Sequence, residues 1–184
     1  MTTATVSKLI TAEEFMTLPQ PADGSKEELV RGEIVTMPPT KQEHGLVQMQ
    51  IGYLLKSTVM PARLGWVGSE SGVILERDPD TVRGPDVYFF SIERMPNRPS
   101  GYSEIAPDLA VEIRSPDDRP GRRREKIRAY LAAGTRIVWD VNPEDRSVTV
   151  YTGNQRGVVY DDTDTIDGGD VLPSFKCPVA DFFI

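Results

Sequence analysis

Two acidic residues stand where carboxylates are expensive to place. Asp86 follows Pro85 and opens the apolar run Val87–Phe90, and Glu112 sits inside the run Leu109–Ile113. Proline is tolerated at the first position of a strand, so Asp86 falls near a strand end. A carboxylate within an apolar run is costly to bury unless it is paired or binds a metal. Two carboxylates on neighbouring strands can hold a hard cation, Mg²⁺ or Mn²⁺, through oxygen. Such an ion polarises a phosphodiester, activates a water and stabilises charge on the leaving oxygen. That chemistry also asks for a basic side chain. Arg114 shares the Glu112 face of the strand, because side chains alternate. It can clamp a phosphate but is a poor proton acceptor at neutral pH. Lys126 suits the role better, since a lysine pKa can fall in a desolvated site. Tyr130 lies four residues beyond Lys126 on the same helix face, placed either to position it or to pack.

The elements that carry these residues are legible in outline. Thr11 and Glu14 form a capping-box pattern that opens a short helix through about Leu18. Strands are expected at Lys26–Val30 and Glu33–Met37 around the turn Arg31-Gly32, and Pro38-Pro39 breaks the hairpin. From about His44 to Val59, Leu46, Val47, Ile51, Leu54 and Leu55 recur at helical spacing. Gly72–Arg77 and Pro85–Phe90 read as strands, and 91–107 as a surface connection. Asp108–Arg114 reads as a strand ended by Ser115-Pro116. A helix over Gly121–Ala133 is stopped by Gly134, and Arg136–Val141 returns as a buried strand. Ser147–Thr152 and Gly157–Asp161 suggest a hairpin around Gly153-Asn154. The Asp-rich stretch 161–170 reads as a solvated loop, and the tail through Phe182-Phe183 as packing back on the core. The helix between strands 108–114 and 136–141 leaves room for a right-handed parallel crossover, so a mixed sheet flanked by helices follows.

The 184 residues suit one domain over 1–184, with an N-terminal helix and hairpin at about 11–37, a core at about 44–160 and a tail at 161–184. Apolar content of 39% and charged content of 27% are those of a globular chain. No apolar run reaches the roughly 20 residues that cross a bilayer, so no membrane partner is expected. The opening MTTATVSKLITAEEF lacks a secretory pattern, and the lone Cys177 makes no internal disulfide; the expected location is the cytoplasm. A net charge of −7 argues against a protein that coats nucleic acid nonspecifically. It leaves room for a nuclease, in which a metal and a clustered basic face supply local positive charge.

Several segments in order resemble a known family. They are Glu28-Leu29-Val30-Arg31-Gly32-Glu33-Ile34-Val35, His44, Arg83-Gly84-Pro85-Asp86-Val87, and Pro107 through Pro116. Lys126, Tyr130, Ala133-Gly134, Trp139-Asp140-Val141 and Pro143 follow. This succession is similar to the Uma-two family of restriction endonucleases, within the PD-(D/E)XK nuclease superfamily, from about Thr11 to the end. The resemblance implies an α/β, restriction-endonuclease-like mixed β-sheet flanked by helices and a divalent-metal phosphodiesterase centre acting on nucleic acid, DNA before RNA. It implies Asp86 and Glu112 as metal ligands and Glu28 as a third acidic member. The superfamily's usual lysine position, two residues after the glutamate, holds Arg114 here, and the resemblance implies that the lysine has moved to Lys126. His44, the only histidine, becomes a candidate site residue. Cutting both strands of a duplex would favour a homodimer.

Plainer readings stand beside these. Glu112 can be the buried partner of Arg114, Arg136 or Lys126. Asp86 can cap a turn, and Glu27, Glu28 and Glu33 can line a solvated hairpin edge. His44 can be a helix cap. The basic run Arg122, Arg123, Arg124, Lys126 and Arg128 suits a solvated helix face as well as a phosphate-guiding patch. A chain that kept the fold but lost catalysis would serve as a nucleic-acid-binding or regulatory module.

Overall fold

The computed structural model describes residues 9–116, 118–153 and 156–183. The extreme N-terminus and Asn154 of the expected hairpin turn lie outside them. The chain opens with α1 (Ala12–Met16), held by the expected capping box. Glu14 N–H donates to Thr11 Oγ1 at 3.1 Å, and Thr11 N–H donates to the Glu14 carboxylate at 3.0 Å. The hairpin β1 (Lys26–Val30) and β2 (Glu33–Met37) has the expected bounds, with Arg31 and Gly32 both at positive φ in the turn. The long helix α2 spans Gln42–Val59.

In the first half of the chain two short strands escape the sequence pattern: β3 (Gly65–Gly68) and β5 (Thr81–Arg83). Each is too short to show a period. Around them lie β4 (Val73–Glu76) and β6 (Val87–Ser91). Gly65 is required where β3 meets β6: its φ is +155°, and a Cβ there would collide with the Phe90 carbonyl. Then come β7 (Leu109–Ile113), α3 (Pro120–Ala132), β8 (Ile137–Asn142), β9 (Ser147–Thr152) and β10 (Val158–Tyr160).

β7 and β8 pair in parallel, and α3 makes the expected crossover between them. The main sheet runs β10-β9-β8-β7-β6-β3, with its other pairs antiparallel. A second sheet has the order β2-β1-β5-β4. The stretch 161–170 corrects the reading of a solvated loop. It holds β11 (Thr165–Gly168), which pairs with β12 (Leu172–Pro178) and buries Ile166 in the main core. A single apolar residue among aspartates hid this strand.

Alternation along β7 divides the chain into two layers. Leu109, Val111 and Ile113 face α2, where Val47, Ile51, Leu55, Trp139, Phe175 and Phe182 close the core. Ala110 and Glu112 face the other way, toward Ile127 and Tyr130 of α3. Trp139 and Cys177 belong to the core, and burial pushes the Cys177 thiol up to about 11. Among the described residues no helix is long and apolar enough to cross a membrane.

Candidate active site

The register of β6 on β7 brings the two acidic residues together. Val87 pairs with Val111 in an antiparallel ladder, so one step outward Asp86 comes opposite Glu112. Asp86 Oδ2 accepts the Ile113 N–H at 2.7 Å, which ties the end of β6 to β7. The other oxygen, Oδ1, lies 3.4 Å from His44 Nε2 and 3.5 Å from Lys26 Nζ. Gln48, one turn beyond His44 on α2, donates to the Asp86 carbonyl at 2.9 Å and to Glu70 at 3.0 Å. Burial works to raise the Asp86 pKa. The His44 contact and the Lys26 charge outweigh it, and Asp86 stays an anion far below the usual carboxylate range. Burial lowers the His44 pKa in turn, but the close contact with Asp86 and its charge leave it raised.

Glu28 comes from the other sheet. On β1, Leu29 turns into a cluster with Ala12, Phe15 and Val82, and alternation sends Glu28 to the opposite side. It is 1% exposed. Its carboxylate takes Arg83 Nη1 at 2.7 Å, Lys126 Nζ at 2.9 Å and the Gly84 N–H at 3.3 Å. Burial opposes ionisation here too, but Lys126 and Arg83 bring the pKa down to about 2. The reading of Glu28 as a solvated hairpin edge therefore falls.

Lys126 bridges the two acids. Its Nζ is 2.7 Å from Glu112 Oε2 as well as 2.9 Å from Glu28 Oε1. The expectation that its pKa falls is overturned. Burial does pull it down, but Glu112, Glu28 and Asp86 together push it well above its ordinary value. Lys126 is an ammonium. Glu112 behaves in the opposite way: burial raises its pKa to about 7, Lys126 opposes, and the charges of Asp86 and Glu28 add to the rise. Its second oxygen, Oε1, is buried and accepts no hydrogen bond among the described residues. Tyr130 is fully buried beside Glu112, and burial and that neighbour hold its hydroxyl protonated.

Arg114 is engaged elsewhere. It forms a two-pronged pair with Asp140 of β8, at 3.0 and 2.8 Å, and Arg123 Nε comes within 3.3 Å of the same carboxylate. Arg122, Arg124 and Arg128 of the basic run are exposed on α3.

Lys26 and Glu70 stand beside Asp86 in the cluster, and sequence reading missed both. Lys26 Nζ pairs with Glu70 at 2.6 Å and donates to the Gly84 carbonyl at 2.7 Å. The spacing Lys26-x-Glu28 was a usable signal, since it puts both on one strand face. Glu70 sits in a turn at positive φ and carried no pattern. His44, Glu70 and Asp86 each bring one donor atom into a set whose members lie within 4.8 Å of one another, close enough for one ion to bridge. Two clefts reach this cluster. One, of about 210 Å³, is lined by His44, Arg114, Ser115 and Arg123; the other, of about 500 Å³, by Lys26, Glu70, Gly84 and Tyr102.

A family model described as "Uma2: Putative restriction endonuclease" matches residues 12–180. The chain belongs to the Uma2 family. This Uma2 protein is also similar to a solved structure from Anabaena variabilis, titled a "putative nuclease belonging to DUF820". The two are 26% identical over 95% of this chain and 97% of that one, with a TM-score of 0.82. No curated protein matches it. The restriction-endonuclease-like fold expected from the sequence is thus the fold of the Uma2 chain: a mixed sheet with α2 on one face and α3 on the other.

Proposed function

We propose that this Uma2 protein is a divalent-metal-dependent endonuclease that hydrolyses DNA phosphodiester bonds. The observation that carries the reading is the convergence of Asp86, Glu112, Glu28 and Lys126, from both sheets and α3, on one largely buried cluster, whose neighbours His44 on one side and Lys26 and Glu70 on the other line open clefts. Burying that many charges costs several kcal/mol per ion, of order, before pairing offsets it. Such expense is characteristic of functional sites.

The donor set fits a divalent cation. Glu112 Oε1 is a buried acceptor without a donor, and Asp86 is held fully ionised. Asp86 and Glu112 would hold the ion, with His44 and Glu70 in reach of the same carboxylate. The donors that lie within 4.8 Å of one another, Asp86, Glu70 and His44, give two carboxylate oxygens and one imidazole, a set that suits Mn²⁺ as well as Mg²⁺ and does not itself include Glu112. When bound, the ion would polarise the phosphoryl group and lower the pKa of water. Lys126 is charged, so it does not accept the proton of the attacking water. Glu28 and Glu112 occupy two of its three N–H donors. The third is left to orient that water or to bind a phosphate oxygen as negative charge builds there. Glu28 holds Lys126 in place, and Tyr130 packs beneath Glu112. His44 fixes Asp86 from the α2 side.

Purified protein should nick and linearise plasmid DNA when Mg²⁺ or Mn²⁺ is present and stop when the metal is chelated. Cleavage that survives chelation sinks the reading. Duplex binding with no cleavage under any divalent metal would favour a catalytically silent binding module.

Metal binding should also depend on pH. Only ionised Glu112 can act as a ligand, and its pKa lies at about 7. Below that value the ion displaces a proton, so affinity should fall by up to about tenfold per pH unit as pH drops. Calorimetric Mn²⁺ titrations in buffers of different ionisation enthalpy measure that proton directly. Affinity flat from acid to mildly alkaline pH would show that Glu112 is not a ligand.

A further inference from the structure

The inner face of α2 is buried in the core, and its outer face carries an apolar seam that no other described residue covers. Leu46, Met49, Tyr53 and Met60 are 68%, 74%, 64% and 60% exposed. With Gln42 and Lys56 they follow at intervals of four, three, four, three and four residues, the spacing of a helix seam that packs on another helix. Scattered exposed apolar residues are ordinary, but a contiguous row marks an interaction surface.

Two glycines give this row a second, independent feature. Gly45 and Gly52 lie inside α2, where each costs roughly 0.5–1 kcal/mol relative to alanine. Neither is required by the chain itself, because a Cβ at either position would meet nothing within 4 Å. Both border the seam on the same flank, seven residues apart, and leave bare backbone there.

We infer that this face of α2 packs antiparallel against α2 of a second copy of the chain, about a two-fold axis near Met49. In such a pair each flank of the helix meets the same flank of its copy. An axis at Met49 brings Gly45 within one residue of Gly52 of the second copy, so the two backbones approach closely. On the other flank Leu46 comes within one residue of Tyr53 of the second copy, and Met49 lies against Met49. Lys56 meets Gln42 of the second copy, so no like charges face each other across the seam. Both large-to-large and small-to-small contacts fall in register from a single axis, which an arbitrary partner surface would not satisfy. At about 1.5 Å per residue the 18 residues of α2 run about 27 Å. That is the breadth of a standard interface of roughly 800 Å² per partner.

The test is the mass of the full-length protein by sedimentation or light scattering, from low to high micromolar concentration. Wild type should be a dimer, with a melting temperature that rises with concentration. Met49→Glu with Tyr53→Lys should yield a folded monomer. Gly45→Leu with Gly52→Leu should do the same while raising helix propensity, so its loss of dimer cannot be attributed to unfolding. A monomeric wild type overturns the inference and leaves the seam to a different partner. A dimer untouched by both double variants overturns the choice of face.

Discussion

Glu112→Gln is expected to lower metal-dependent DNA cleavage by at least about a hundredfold, since loss of a direct ligand should exceed the 10- to 100-fold typical of outer partners. It should leave the melting temperature of the metal-free protein within a few degrees of wild type. The amide keeps the shape of the side chain and removes the charge. In the metal-free protein that charge is unfavourable, because burial raises the pKa to about 7. A folded pKa above the ordinary 4.5 means that this group's stabilisation is fully present below pH 4.5 and is lost as pH rises through about 7. Glutamine does not titrate, so the variant keeps what the acid loses above neutrality, offsetting the weakened pair with Lys126. Lys126 also retains Glu28 at 2.9 Å. Plasmid cleavage and thermal melts at mildly alkaline pH make the comparison. Full cleavage by Glu112→Gln would remove Glu112 from the mechanism. Lost cleavage with a collapsed melting temperature would reduce it to a structural residue.

Glu28→Ala should have the reverse signature, a large loss of stability. Glu28 stands between Arg83 and Lys126, almost wholly out of solvent. Its removal leaves two cations facing each other without their shared anion, and breaking a buried pair in this way costs about 3–5 kcal/mol. For a chain of this length that is a fall of roughly 10 °C in melting temperature. Glu28→Gln tests the charge alone. The wild-type pKa is depressed from 4.5 to about 2, so the stabilisation from this carboxylate is present above pH 4.5 and disappears as pH falls through about 2. Melts across that acid window should show a steeper loss for wild type than for Glu28→Gln. Parallel curves would mean that Glu28 is not the anion holding Lys126 and Arg83.

These two carboxylates show where sequence reading stops. Their places on β1 and β7 follow from alternation, which requires only that Leu29 and Val111 seek the core. That one carboxylate would be driven toward protonation and the other held ionised is a property of the cluster. Glu28 faces Arg83, Lys126 and a backbone N–H, whereas Glu112 has Lys126 and an oxygen with no donor. The same limit applies to Lys126. Its position on α3 is legible from the family pattern, but its protonation state is not. A lone buried lysine loses its proton, while one lodged between two carboxylates keeps it. Arg114, two residues past Glu112, is an equal candidate by spacing, but Asp140 of the parallel neighbour β8 holds its guanidinium.

By itself the sequence determined the order of the longer elements from α1 to β10, without the short β3 and β5, the parallel crossover through α3, and the family to which Asp86, Glu112, Lys126 and Glu28 point. Local periodicity, proline and glycine punctuation and a run of matched motifs are properties of neighbouring residues, and they survive translation into structure with little change. Tertiary structure alone decided what the acidic pair of Asp86 and Glu112 is joined to. The Lys26–Glu70 pair beside Asp86 depends on β1 meeting the turn between β3 and β4, far along the chain. Nor could spacing tell which oxygens are satisfied and which are left open. Charges act through space at a few ångströms, and only the folded chain sets those distances.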